Sequence, residues 1–236
     1  MASPSEPART LRPGVIWPVF AGLVIAAVLS IALTQVARTG VVSGAPQLLL
    51  ADICVWVPLV AAVVWSVRGL GPAGARARLG LEIRLVDVVF GIAAACLARA
   101  FDAFLQLGLY GDTGLHPTPL LGGVPVVGLA VLTILGPCIL SPVIEELVFR
   151  GVLQRGLAAR NGGGGWGQAS AVLIAAFVFA LSHLVLGSTL GTATVFTTFL
   201  LGLLVGALTA ATGRIGGAIV AHVLFNVIAV VLTWSF

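Results

Sequence analysis

Residues 141–150, Ser-Pro-Val-Ile-Glu-Glu-Leu-Val-Phe-Arg, place two adjacent carboxylates and a guanidinium inside an otherwise almost wholly apolar stretch. A charged side chain at bilayer depth costs at least about 2.5–3.5 kcal/mol, so it is seldom kept without a use. On a helix Glu146 and Arg150 stand at i and i+4, acid before base, the better order for an ion pair. Glu145 lies about 100° further round the helix and has no such partner. Two neighbouring glutamates thus acquire different prospects. Glu146 is neutralised, while Glu145, unpaired and partly desolvated, is suited to act as a general base. The simpler alternative is an interfacial helix end at which both acids reach water.

The composition around this stretch fixes the class. Of 236 residues, 59% are hydrophobic and 8% charged, with a mean hydropathy of +1.16. A soluble domain carries about 25% charged residues. Most of the chain must therefore cross a membrane. The net charge is +4, and all twelve basic residues are arginine. They sit in short loops beside apolar runs, so topology and anionic lipid account for them, and nucleic acid is not expected as a partner. Cys54, Cys96 and Cys138 are scattered singly in apolar segments, with neither disulfide nor zinc spacing.

Apolar periods divide the chain into three parts: a polar, disordered tail over 1–14, membrane helices over 15–123, and a site-bearing membrane domain over 124–236. Val15 to Val36 is long enough for a span of about 20 residues and long for a signal peptide, although Ser43-Gly44-Ala45 resembles a cleavage site. Spans follow at 47–67 and 85–107, separated by a Gly/Arg loop over 68–84. Arg99 and Asp102, at i and i+3 in the third span, read as a structural ion pair. His116, in a Gly/Pro-rich loop, reads as exposed. Residues 124–160 are too long for one straight crossing, and Pro137 and Pro142 predict a break, with a new helix starting near Ser141. Spans at 168–186, 191–212 and 214–236 complete an all-α bundle of seven to eight helices. Gly202 and Gly206 have the G-x-x-x-G spacing that lets a neighbouring helix approach, within the chain or in a dimer. The oligomeric state is left open.

With the N-terminus inside, the inner face receives Arg9, Arg12, the four arginines of the 68–84 loop, Arg155, Arg160 and Arg214, and the outer face only Arg38. This predicts a multi-pass protein of the plasma (inner) membrane with a cytoplasmic N-terminus. Seven crossings then keep the pattern.

Three late segments carry polar residues that hydrocarbon should exclude: Glu145, His183, and the i, i+4 pair His222 and Asn226. Singly, each could be helix–helix glue. Converging in a bundle interior, they offer a base, two imidazoles and a carboxamide suited to an oxyanion. No serine or cysteine is spaced to serve as nucleophile, so water is the expected attacking group.

These residues fall into three motifs. Glu145-Glu146-x-x-x-Arg150, Phe179-x-x-x-His183 and His222-x-x-x-Asn226 resemble, in order, the E-E-x-x-x-R, F-x-x-x-H and H-x-x-x-N motifs of the CAAX-protease and bacteriocin-processing family, also called the type II CAAX prenyl endopeptidase or abortive-infection family. The resemblance covers about residues 137–226. It implies an intramembrane endopeptidase acting on a membrane-associated peptide or protein. It further implies that Glu145 activates water with help from His183, that His222 and Asn226 stabilise the oxyanion, and that Glu146, Arg150 and Phe179 support them. Zinc on Glu145, His183 and His222 is an option, since two His and one Glu form a catalytic zinc set. H-E-x-x-H is lacking, a metal-free mechanism suffices, and the cofactor stays unassigned. Family members often carry an eighth helix, yet ten residues follow Asn226 here. A silent scaffold or self-immunity protein and a small proton-coupled transporter are the competing readings.

Overall fold

The computed structural model describes residues 16–115, 131–186 and 191–233. The expected tail over 1–14, His116, residues 124–130 and the turn at Gly187 lie outside the described residues. The helices are α1 (Trp17–Arg38), α2 (Ala45–Val67), α3 (Pro72–Leu79), α4 (Leu85–Tyr110), α5 (131–160), α6 (Gly165–Leu186), α7 (Thr192–Thr212) and α8 (Gly216–Thr233), and no strand occurs among the described residues. Helices α1, α2, α4, α6 and α7 are each long and apolar enough to cross a membrane. With α5 and α8 the chain is a polytopic helical bundle. Large apolar side chains stand exposed along its outside, among them Val24, Val28 and Ile31 of α1 and Phe90 and Phe104 of α4. Such a surface aggregates in water and suits lipid.

Two expectations need correction. The 68–84 loop contains α3. Pro72 occupies its first turn, and Gly80 ends it in the left-handed conformation at φ 69°. Proline at the start and glycine just past the end are helix signals that were there to be read. The predicted break at the prolines is also absent. Residues 131–160 form one helical run: π-helix Val131–Leu140, α-helix Ser141–Glu146, π-helix Leu147–Gln154 and α-helix Arg155–Arg160. A widened turn gives a proline ring room without ending the helix.

Packing is by close backbone approach, as expected where lipid removes the hydrophobic drive between helices. A Cβ on Gly22 of α1 would lie 2.9 Å from the Pro58 carbonyl of α2, and one on Gly91 of α4 would lie 2.8 Å from the Gly217 carbonyl of α8. Gly202 meets Ala176 and Phe179 of α6, while Gly206 meets Val172 of α6 and Gln154 of α5. The G-x-x-x-G face is thus occupied within the chain. Arg99 and Asp102 pair at 2.7 Å; Thr197 donates to Asp102 at 2.9 Å, and Arg99 donates to the Phe225 carbonyl at 2.6 Å. This network ties α4, α7 and α8 and is structural, as read.

One end of the bundle gathers the basic loops. Arg155 donates to the carbonyls of Arg78 and Gly213, the Ile215 N–H donates to the Gly80 carbonyl at 3.0 Å, and Arg214 pairs with Asp87 at 2.8 Å. Ile16, just before α1, packs against Gly156 at the same end. The arginine-bearing loops assigned to one face by sequence therefore do lie together.

Candidate active site

The site lies where the middle of α5 meets α6 and α8. Glu146 and Arg150 are both fully buried, with Arg150 Nε 3.3 Å from Glu146 Oε2. The expected i, i+4 pair is therefore formed. The other oxygen of Glu146 stands 2.8 Å from His222 Nδ1. A carboxylate held beside a guanidinium is an acceptor, so His222 Nδ1 carries the proton and Nε2 of the neutral ring presents a lone pair. That Nε2 lies 3.8 Å from Glu145 Oε2.

His183 repeats the arrangement with a different anchor. Its Nδ1 lies 3.0 Å from the Phe179 carbonyl, one helical turn back. A carbonyl can only accept, so this nitrogen too is protonated and Nε2 is free. His183 Nε2 stands 3.7 Å from the same Glu145 oxygen. Two imidazole lone pairs thus converge on one carboxylate oxygen, at distances too long for direct hydrogen bonds. Glu145 Oε2 is buried and has no hydrogen-bond partner among the described residues.

Exposure separates the two acids further. The side chains of Glu145 and His183 are 17% and 29% exposed, whereas Glu146 is at 0% and His222 at 4%. Glu145 can be reached from outside, and Glu146 is sealed behind it. Phe179 sets the spacing. Its ring lies edge-on to His183 at 4.5 Å, to His222 at 5.5 Å and to Phe149 at 5.1 Å, with the Arg150 guanidinium 5.0 Å from its centre.

Asn226 is held by the prolines. Its Nδ2 donates to the Pro137 carbonyl at 2.8 Å. In the i→i+5 register of the π segment the natural donor for that carbonyl is residue 142, a proline with no N–H. The carbonyl so released becomes the docking point for α8. Serine hydroxyls near the site are committed elsewhere. Ser182 donates to the Phe179 carbonyl at 2.7 Å, and Ser141 accepts from Trp56 at 2.7 Å. Neither is bonded to an imidazole.

Of the seven residues singled out by sequence, Glu145, Glu146, Arg150, Phe179, His183 and His222 form one connected assembly, and Asn226, one turn beyond His222 on α8, is bonded to Pro137. The sequence reading missed the bond between His222 and Glu146, which are 76 residues apart and share no motif. It also missed Gln154, a third polar residue on the Glu146–Arg150 face, whose amide donates to the Gly206 carbonyl at 2.9 Å. Its i+8 spacing from Glu146 was the available signal. Donor chemistry alone, two neutral imidazole nitrogens and a carboxylate, is that of a zinc set. Their spacing is looser: among the described residues no three His, Cys, Asp or Glu side chains are grouped to grip one ion.

The fold and site define a class, a polytopic helical membrane protein with a carboxylate–imidazole centre buried among its later helices. Residues 127–228, which hold α5 to α8 almost entirely, match the family described as type II CAAX prenyl endopeptidase Rce1-like. The match contains every residue of the site and bears out the resemblance drawn from the three motifs. Helices α1 to α4 lie outside it. No curated protein and no solved structure matches the chain.

Proposed function

We propose that this protein is an intramembrane endopeptidase that hydrolyses a peptide bond of a membrane-associated peptide or protein with water activated at Glu145. The observation that carries the reading is the buried, unpartnered Glu145 oxygen, faced by the Nε2 atoms of His183 at 3.7 Å and His222 at 3.8 Å. A water between such groups donates one hydrogen to the carboxylate and the other to an imidazole lone pair. A lone pair on its oxygen is then free for attack. The hydroxyl adds to the scissile carbonyl carbon while its proton passes to Glu145. The same proton then goes to the departing amine as the C–N bond breaks. Asn226 has one N–H on Pro137 and a second left for the oxyanion. His222 Nε2, which presents a lone pair, holds the water together with His183. Glu146, bonded to His222 Nδ1, is a positioning residue.

No step of this mechanism runs through a metal. The arginine-rich end of the bundle, where Ile16 just before α1 also lies, supports a cytoplasmic N-terminus. The test of the reading compares membrane-fraction peptides and protein N-termini from cells making the unmodified protein with those from cells making Glu145→Gln at equal abundance. New N-termini seen only with the unmodified protein are the expected result. Identical profiles overturn it in favour of a silent scaffold.

A further inference from the structure

At the basic end of the bundle a groove of about 440 Å³ runs between α3, the linker that follows it and the first turn of α8. Ala75 of α3, Ile83 of the linker, and Ile215 and Ile219 of α8 give it apolar walls, and Arg76 and Glu82 are its charged residues. An engineered apolar cavity of about 150 Å³ holds one benzene, so this groove has room for about three such six-carbon units, the bulk of an acyl chain. It lies at the depth of the membrane interface. Trp65 at the end of α2 and Trp166 at the start of α6 stand exposed at the same end of the bundle, and tryptophan gathers at the headgroup level.

The guanidiniums around the groove are not alike. Arg84 pairs with Glu82 at 2.7 Å, and Arg214 pairs with Asp87 at 2.8 Å. Among the described residues no carboxylate pairs with Arg76. Its Nε donates to the Leu81 carbonyl at 2.9 Å. That bond fixes the side chain and leaves both terminal nitrogens, a forked donor that fits a phosphate. The groove thus joins an apolar trough to one unbalanced positive charge.

We infer that this groove binds one anionic phospholipid of the adjoining leaflet, with an acyl chain along Ala75, Ile83, Ile215 and Ile219 and the phosphate on Arg76. The inference is independent of the endopeptidase reading. Basic pockets between membrane helices are known places for anionic headgroups, and this one is built from residues far apart in the chain. A free phosphate would leave the apolar walls uncovered. In a zwitterionic lipid the headgroup's own ammonium competes with Arg76 for the phosphate. The bound lipid would join α3 to the turn of α8 just before His222, and so brace one helix of the candidate site.

The experiment is native mass spectrometry of the full chain in detergent micelles, titrated with dipalmitoyl phosphatidylglycerol or dipalmitoyl phosphatidylcholine. One phosphatidylglycerol is expected to bind ahead of all others, and about tenfold more tightly than the choline lipid. Arg76→Gln, which removes the fork, and Ala75→Phe, which fills the trough, should each weaken that first lipid by about tenfold. Arg68→Gln removes the same charge at the same end but outside the groove, where the side chain stacks on Trp65, and should change it by less than about twofold. Arg76→Gln decides the matter if Ala75→Phe does not accumulate, because Arg76 is exposed. Equal losses in the two arginine variants would mean diffuse surface charge and overturn the site. Equal binding of the two lipids, or displacement of the first lipid by glycerol phosphate alone, overturns it as well. So does a lipid-free dimer that Ala75→Phe abolishes, which would give the groove to a second copy of the chain.

Discussion

Removing Arg150 while leaving Glu146 in place should be among the most damaging single changes available. Both side chains are fully buried, and Arg150 Nε sits 3.3 Å from Glu146 Oε2. Arg150→Met strands a carboxylate that is left with the His222 imidazole, at 2.8 Å. Breaking a buried pair from one side costs about 3–5 kcal/mol, since the penalty is that of an uncompensated charge. Glu146→Gln strands Arg150 in the same way and should cost a similar amount. The double variant removes both charges, and the glutamine oxygen still accepts from His222 Nδ1. It should therefore cost no more than the worse single change, a coupling of at least about 3 kcal/mol, at or above the top of the range for contacting residues. The assay is an equilibrium SDS titration of the protein in mixed micelles, followed by fluorescence of its five tryptophans. Losses that add to within about 0.5 kcal/mol, as independent sites do, would refute the reasoning.

Glu145→Gln should abolish cleavage by a factor of about 10²–10⁴ while moving the same unfolding midpoint by no more than about 0.5 kcal/mol, because the oxygen it alters has no partner to lose. A destabilisation matching that of Glu146→Gln would instead make Glu145 a structural acid. Within α4, Gly91→Ala should cost about 1–3 kcal/mol, since its Cβ would stand 2.8 Å from the Gly217 carbonyl. Gly108→Ala has nothing within 4 Å and should be neutral or stabilising by up to about 1 kcal/mol in the same titration. Activity should survive a zinc chelator; a loss that added zinc restores would put a metal on Glu145, His183 and His222.

The spans were legible because a bilayer demands about twenty apolar residues in a row, and this chain supplies them with little ambiguity. The site was legible as three local motifs, because i, i+4 neighbours share a helix face whatever the tertiary fold. Their distribution of work was not. That Glu146 rather than Glu145 takes the imidazole of His222 depends on how α8 is rotated against α5, which no local spacing encodes. The path through Pro137 and Pro142 was misread for a related reason. Proline marks where an α-helix loses a hydrogen bond, but not whether the backbone answers with a break or with a wider turn. Here the wider turn also frees the carbonyl that holds Asn226, so the misread path and the docking of α8 have one origin.

The polar column on α5 also bears on how the protein is made. Insertion proceeds helix by helix, and Glu145, Glu146 and Arg150 each add about 2.5–3.5 kcal/mol when presented singly to lipid. Their partners, His183 and His222, emerge from the ribosome only later, on α6 and α8. The helix that carries the chemistry is thus the one least fit to partition by itself. Retention of α5 beside the translocation channel until α6 follows is the expected consequence. Glycosylation mapping of truncated chains tests it: α5 alone should insert poorly, and Glu145→Leu with Arg150→Leu should relieve the delay.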